Sequence, residues 1–194
     1  MVRPARVDEL TAALSDATVD APWEVFRRCE AADALGEMGP AAETAIPALV
    51  RTLSVRVTVD CVLALRVAAA RALWRVGRRA DLALPYLLKA LDDDYWGVAR
   101  TAIETLGEME EAGQPAAAKL VSLAKKRLAS GPFHFEQWVE GAGSGQPAPL
   151  LAAVAAALGA CAAGSAETRD ILLELARNPD GSVRASAEAA LAGW

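Results

Sequence analysis

The stretch ALGEMGPAAETAIPALVRTL at Ala34–Leu53 has a second copy, ALWRVGRRADLALPYLLKAL, at Ala72–Leu91. In the alignment of the two, Leu35 falls on Leu73, and the apolar residues of the second halves also coincide. Weaker copies follow at Thr105–Ala124 and Ala157–Ala176, and a partial one ends at Trp194. A fixed register of this kind indicates an array in which each copy buries its apolar face against the next.

Each copy predicts two helices, because apolar residues recur three and four positions apart on either side of a break such as Gly39-Pro40. The predicted helices are one capped by Asp8 that includes Leu14, then Pro22–Met38, Thr44–Leu53, Asp60–Gly77, Asp81–Leu91, Tyr95–Met109, Gln114–Ala129, Pro147–Ala160, Ala166–Ala176 and Asp180–Ala190. Asp60, Asp81 and Asp180 are expected to act as N-caps. We therefore predict an all-α fold, an α-α superhelix of about five helical repeats and roughly ten helices, in a single domain over residues 1–194.

One interruption of the register stands out. The equivalent leucines are Leu35, Leu73, Leu106, Leu158 and Leu191, so the successive intervals are 38, 33, 52 and 33 residues. The long interval contains SGPFHFEQWVEGAGSGQ, residues 130–146, which has no counterpart in the other copies. We predict that this segment is an insertion between two repeats, and that Gly141–Gly145 within it is a flexible hinge.

Composition and charge restrict the classes of partner. Apolar residues make up 54% of the 194-residue chain, the net charge is −5 and the isoelectric point is near 5.0. This balance argues against general nucleic-acid binding and against anionic membranes, although Ser54–Asp93 forms a basic middle between acidic ends. The first residues lack an apolar run of signal-peptide length, and Pro147–Ala163 is too short to span a bilayer. We expect a cytoplasmic protein.

Two blocks of sequence carry a family resemblance. DGSVRASAEAAL at Asp180–Leu191 and DYWGVARTAIETLGEM at Asp94–Met109 resemble HEAT-like repeats of the phycobilisome-lyase type. Val183-Arg184 fits the pattern of that family, whereas Ala99 occupies the arginine position in the third copy. The resemblance implies a helical repeat fold. It leaves function open, because repeats of this kind serve lyases, other enzymes and scaffolds.

The sequence offers little catalytic chemistry. His134 is the only histidine, whereas metal-binding HEAT proteins similar to deoxyhypusine hydroxylase need paired His-Glu motifs. Asp92–Asp94 lacks the alternating ligands of a calcium loop and is expected to be a helix-capping turn. The cysteines, Cys29, Cys61 and Cys161, have no CxxC spacing and are predicted to be small buried residues. We therefore predict no cofactor, no metal and no enzymatic activity.

Aromatic residues are concentrated in the turns that lead from the second helix of one pair to the first helix of the next. They are Trp23, Tyr95, Trp96, Phe133, Phe135 and Trp138. In a helical-pair array these turns lie on one edge, and surface aromatic residues are typical of interface hot spots. The alternative is that Trp23 and Trp96 pack inward at helix starts and that the insertion folds over its own repeat.

Together these features predict a non-enzymatic protein-interaction module, a small bacterial-type adaptor or immunity-like protein. The expected binding residues, on the aromatic edge, the insertion and the concave face of the second helices, are Phe133, Phe135, Trp138, Tyr95, Trp96, Arg51, Lys89, Lys119 and Lys125. Two alternatives are a lyase-like subunit that handles a bilin or another prosthetic group, and a DNA-repair-type protein that uses the basic cluster of Arg75, Arg78 and Arg79. The last helix lacks a second-helix partner, which predicts either a partner site or a homodimer there.

Overall fold

The computed structural model describes residues 4–15, 22–54, 62–93, 96–129, 150–162 and 164–193, and all regular structure in these ranges is helical. The α-helices are α1 (Pro4–Ser15), α2 (Pro22–Met38), α3 (Ile46–Leu53), α4 (Val62–Gly77), α5 (Ala80–Ala90), α6 (Trp96–Glu108), α7 (Ala117–Ala129), α8 (Leu150–Cys161), α9 (Ala166–Leu175) and α10 (Gly181–Ala192). Two 3₁₀ segments, Gly39–Ala45 and Glu110–Ala116, precede α3 and α7. The predicted all-α repeat fold is confirmed for these residues, whereas the insertion at 130–146 lies outside them.

The chain forms two compact units, Met1–Ala102 and Ile103–Trp194, and the boundary between them falls within α6. The first unit contains α1 to α5, and the second contains α7 to α10. In both units the even-numbered helices are the first helices of the predicted pairs. The assignment of residues 1–194 to a single domain stays a prediction.

Two of the predicted N-caps are wrong, and a third, Asp60, lies outside the described residues. Helix α1 begins at Pro4, so Asp8 is an exposed residue within the helix and not its cap. Helix α5 begins at Ala80 after the non-helical Arg79, which places Asp81 in the first turn. The N-cap role predicted for Asp180 is confirmed, because its Oδ1 accepts hydrogen bonds from the backbone N–H groups of Ser182 and Val183 at 2.8 and 3.2 Å.

Four of the five register leucines lie in the core of their unit, whereas Leu191 is half-buried. Leu35 and Leu73 are fully buried in the first unit, as are Leu106 and Leu158 in the second. Because each occupies the same position of its helix, the repeated block of sequence corresponds to a repeated packing position. Burial of a leucine side chain contributes about 1.5–3 kcal/mol, so these positions account for much of the stability of the array.

A glycine next to the leucine lets neighbouring first helices approach closely. A Cβ added to Gly36 of α2 would lie 3.3 Å from the Cα of Ala72 in α4. The same pairing recurs in the second unit, where Gly107 of α6 faces Ala157 of α8, and Gly159 of α8 faces Ala190 of α10. In each case the glycine follows one register leucine and the alanine precedes the next. Helices α2 and α4, α6 and α8, and α8 and α10 therefore pack through the same small-residue contact.

Candidate interaction surface on helix α2

Two large aromatic side chains are exposed on α2. Trp23 is 68% exposed and Phe26 is 64% exposed, whereas most other large apolar side chains of the described residues are covered. Residues three positions apart lie on the same side of a helix, so the two rings belong to one face. Glu30, four positions after Phe26, is exposed on that face as well. We call the surface formed by Trp23, Phe26 and Glu30 the α2 face.

The packing of α2 explains why this face is uncovered. Val25, Ala32 and Leu35 are buried and lie on the opposite side of the helix. Helices α1 and α4 both contact α2, and the close approach at Gly36 fixes the side that α4 occupies. The α2 face is therefore the part of the helix that no described element needs for folding.

The repeat register supports the same conclusion. Phe26, nine residues before its register leucine, corresponds to Ala64 of α4 and to Ser182 of α10. The repeat therefore accepts a small side chain at this position, and an aromatic ring is not required to build the helix pair. A large apolar side chain that the fold does not need and that water surrounds is a typical component of an interaction site.

The border of α2 with α4 is ionic. Asp33 of α2 is half-buried, and burial raises the pKa of its carboxyl group, while the guanidinium groups of Arg71 and Arg75 on α4 act in the opposite direction and the carboxylate of Glu37 raises it further. These two arginines thus act on the carboxyl group of Asp33 at the border between the two helices.

Five of the nine predicted binding residues lie wholly or in part outside the residues that the structure describes. Tyr95, Phe133, Phe135 and Trp138 lie outside the described residues, as does the side chain of Trp96, whose backbone begins α6. Their role in an aromatic edge stays a prediction.

The four predicted basic residues have different surroundings. Arg51 of α3 and Lys89 of α5 are exposed, and Lys119 of α7 is half-buried. Lys125 of α7 is exposed, but its Nζ lies 2.7 Å from Oε1 of Glu167 in α9. This ion pair bridges two second helices, so a partner would have to compete with Glu167 for the Lys125 ammonium group.

The arginine cluster of the DNA-repair alternative is occupied within the chain. The guanidinium carbon of Arg78 lies 4.6 Å from the ring centroid of Trp74, a cation–π contact. Arg79 donates two hydrogen bonds to Asp81, at 3.0 and 2.8 Å. Hydrogen bonding to Arg79 lowers the pKa of the Asp81 carboxyl group. Arg75 interacts with Asp33. Arg79 and Arg75 thus already face carboxylates of this chain, which lowers the positive potential that the cluster offers to phosphates.

The described residues contain few reactive groups. Cys29 is half-buried and Cys161 is buried, and burial raises the pKa of the Cys161 thiol to about 11, so that it stays protonated at neutral pH. The prediction of a buried cysteine is confirmed for Cys161, whereas Cys61 lies outside the described residues. Among the residues that the structure describes, no group of histidine, cysteine and acidic side chains could hold a metal ion. No helix in the described ranges is long and apolar enough to cross a membrane.

The comparison with known families agrees with the packing. The family model of HEAT repeats matches residues 60–130, a range that includes α4 to α7. The chain is a HEAT-like repeat protein. No curated protein matches it. Outside residues 60–130, the glycine-on-alanine contacts at Gly36 and Gly159 continue the pattern of the HEAT-like repeats.

The predictions from the sequence were wrong or incomplete for two residues of the α2 face. The inward alternative for Trp23 is wrong, since its side chain is exposed. Phe26 was not identified as a candidate. The signal for both was present, because Val25, Cys29 and Ala32 define the buried side of α2 and place Trp23 and Phe26 opposite to it. A comparison of Phe26 with Ala64 in register would have shown that the ring is dispensable for the repeat.

Proposed function

We propose that this HEAT-like protein is a non-enzymatic protein-interaction module. HEAT repeats commonly mediate protein–protein interaction, and stacked repeats provide extended surfaces for a partner. The absence of paired His-Glu motifs from the sequence is consistent with a binding role.

The observation that supports this proposal most strongly is the exposed pair of Trp23 and Phe26. Exposed aromatic side chains are costly to keep in water, since burial of apolar surface is worth roughly 25 cal/mol per Å². Tryptophan is also among the residues most enriched in binding hot spots. A rigid helix held by α1 and α4 presents both rings with little loss of conformational entropy on binding.

At a finer level, we propose an adaptor or immunity-like role in the cytoplasm. In this proposal the insertion at 130–146 and the Tyr95–Trp96 edge supply further contacts. The exposed Arg51 and Lys89, together with the half-buried Lys119, supply polar contacts from the second helices. The competition with Glu167 makes Lys125 a weaker contributor than Arg51 and Lys89.

Affinity capture with matched variants tests the proposal. The tagged protein, the Trp23→Ala/Phe26→Ala variant, the Phe135→Ala/Trp138→Ala variant and a Leu173→Ala control are used as bait in lysate from the native host, and bound proteins are quantified by mass spectrometry. Leu173 is an exposed leucine on α9, so its substitution removes a similar kind of surface at another place.

We expect one or a few proteins to be captured by the unchanged protein and by the Leu173→Ala control, and to be lost with the Trp23→Ala/Phe26→Ala variant. Loss with the insertion variant as well would support the contribution of residues 130–146. If all four baits recover the same proteins in equal amounts, neither aromatic site is used. A tightly retained coloured ligand in the purified protein would instead favour the lyase-like alternative.

A further inference from the structure

The α2 face combines aromatic and acidic groups. Trp23 and Phe26 provide two exposed rings, and the carboxylate of Glu30 lies one turn beyond Phe26. Glu37, two turns further along α2, is exposed as well. At 1.5 Å rise per residue, Glu30 stands about 6 Å along the helix axis from Phe26 and about 10 Å from Trp23. The aromatic rings therefore occupy the N-terminal part of this side of the helix, and the carboxylates follow toward its C-terminus.

The exposed charged residues of the neighbouring elements include further acids. On α1, Asp8 is exposed, and Arg6 is paired with Glu9 at 3.2 Å. On α4, Arg71 and Arg75 act on Asp33, at the border between the helices. Arg27, at the edge of the α2 face, is the exposed cation of α2 in this part of the helix. Among the exposed charged residues of α2, two carboxylates, Glu30 and Glu37, thus stand against one cation, Arg27.

We propose that the α2 face binds a cationic, amphipathic helical segment of a partner protein. This inference rests on the proposed function and names the chemistry of its partner. One lysine or arginine of the partner lies over the ring of Trp23, and a second cation, about two turns away, pairs with the carboxylate of Glu30. An apolar side chain one turn away packs on Phe26.

Two observations support this partner chemistry. First, the chain forms the same kind of contact internally, where Arg78 stacks on Trp74 at 4.6 Å. Second, the spacing of Trp23, Phe26 and Glu30 at positions i, i+3 and i+7 matches the spacing at which a second helix presents its anchors. An acidic segment or an anionic lipid surface would meet Glu30 and Glu37 with like charge, which disfavours both occupants.

A displayed-peptide selection tests this chemistry even while the partner is unidentified. A random library of 16-residue peptides on phage is panned on the purified full chain, with the Trp23→Ala/Phe26→Ala variant as the counter-selection. The best peptides are then synthesised with a fluorescent label, and their affinities are measured by anisotropy at two salt concentrations. The variants compared are Trp23→Ala/Phe26→Ala, Glu30→Gln, and the matched controls Leu173→Ala and Glu174→Gln on α9.

We expect the selected peptides to contain at least two lysines or arginines with apolar residues three or four positions apart. The aromatic variant should weaken binding by about 30-fold or more, and Glu30→Gln by about 3- to 10-fold, mostly at low salt. The α9 controls should bind as the unchanged protein does. Far-UV circular dichroism confirms that the variants remain folded, as expected for exposed positions.

Several results would overturn the inference. Selected peptides that are neutral or acidic would do so, as would a failure to enrich any sequence over the counter-selection. Self-association in sedimentation velocity that is lost with Trp23→Ala/Phe26→Ala would assign the face to a second copy of the chain. Binding to phosphatidylcholine–phosphatidylserine vesicles that depends on the same two rings would assign it to a membrane. If lysate capture identifies a partner that needs Trp23 and Phe26 but binds through an acidic segment, the proposed function stands and this inference alone fails.

Discussion

Substitution of Gly159 by alanine tests the close packing on which the repeat depends. Gly159 lies within α8, and a Cβ at this position would lie 2.5 Å from the Cβ of Ala190 and 2.9 Å from its Cα, both in α10. Carbon atoms in favourable contact are about 3.5–4.0 Å apart. The two helices would therefore have to separate by about 1 Å, or α8 would have to rotate, to accommodate one methyl group.

Two opposing terms set the size of the effect. Alanine in a helix interior is favoured over glycine by roughly 0.5–1 kcal/mol, whereas overpacking of a close contact costs about 1–3 kcal/mol. Because Ala190 approaches with its Cα as well as its side chain, rotamer adjustment cannot relieve the clash. We expect Gly159→Ala to lower the free energy of unfolding by about 1–2 kcal/mol, which for a chain of this length lowers Tm by roughly 2–8 °C.

Urea and thermal unfolding, followed by far-UV circular dichroism, measure the effect. Gly36→Ala is the matched control, because its Cβ would lie 3.3 Å from the Cα of Ala72, a contact that needs an adjustment of only tenths of an ångström. This variant should be as stable as the unchanged protein or slightly more stable. In a double-mutant cycle, Ala190→Gly should recover only part of the loss caused by Gly159→Ala, because the Cα of residue 190 would still lie 2.9 Å from the added Cβ. A Gly159→Ala protein that is as stable as the Gly36→Ala protein would refute the reasoning.

Three further substitutions give independent tests. Glu110 has a φ of 50°, in the left-handed region, so Glu110→Gly should raise the free energy of unfolding by about 0.5–1 kcal/mol in urea titration. A loss of stability would show that the contacts of the Glu110 side chain outweigh the relief of backbone strain. Asp180→Ala removes the N-cap of α10 and should cost about 1 kcal/mol at neutral pH. The Ser182 hydroxyl, together with the backbone N–H of Val183, lowers the pKa of Asp180. The stabilisation by the cap is therefore present above the unfolded-state pKa of Asp180 and is lost as the pH falls through its folded-state pKa. Denaturation of both proteins at several pH values should show that their difference in stability vanishes in acid, and a difference that persists there would contradict the capping role. A double-mutant cycle on Lys125 and Glu167 should give a coupling of only about 0.2–1 kcal/mol, which salt removes, because both side chains are exposed; a larger, salt-insensitive coupling would contradict this estimate.

Much of the fold could be predicted because the repeat produces several independent copies of one signal. The leucines Leu35, Leu73, Leu106 and Leu158 were aligned from the sequence, and all four are fully buried. Helix starts were less predictable. The expected caps at Asp8 and Asp81 failed because other residues nearby could begin the helix, and the side chain of Asp81 instead accepts hydrogen bonds from Arg79.

The candidate site was predicted only in part. An exposed aromatic edge was expected from the turns, and Trp23 was among its residues, but inward packing of that ring was left as an alternative. The apolar stripe of α2 indicates that Trp23 lies opposite the buried side, but whether another element covers a ring on that side depends on the neighbours of the helix. The positions of α1 and α4 around α2 decided this.

By itself, the sequence determined the helical pairs, their register and the buried leucines, because each follows from apolar spacing within a single segment. It also determined that glycine follows the leucine in Leu35-Gly36 and Leu158-Gly159. Only the tertiary structure decided what those glycines touch, which arginines are already paired, and which side of α2 remains uncovered. The physical reason is that burial and ion pairing each need two surfaces in contact, and the second surface comes from a distant part of the chain.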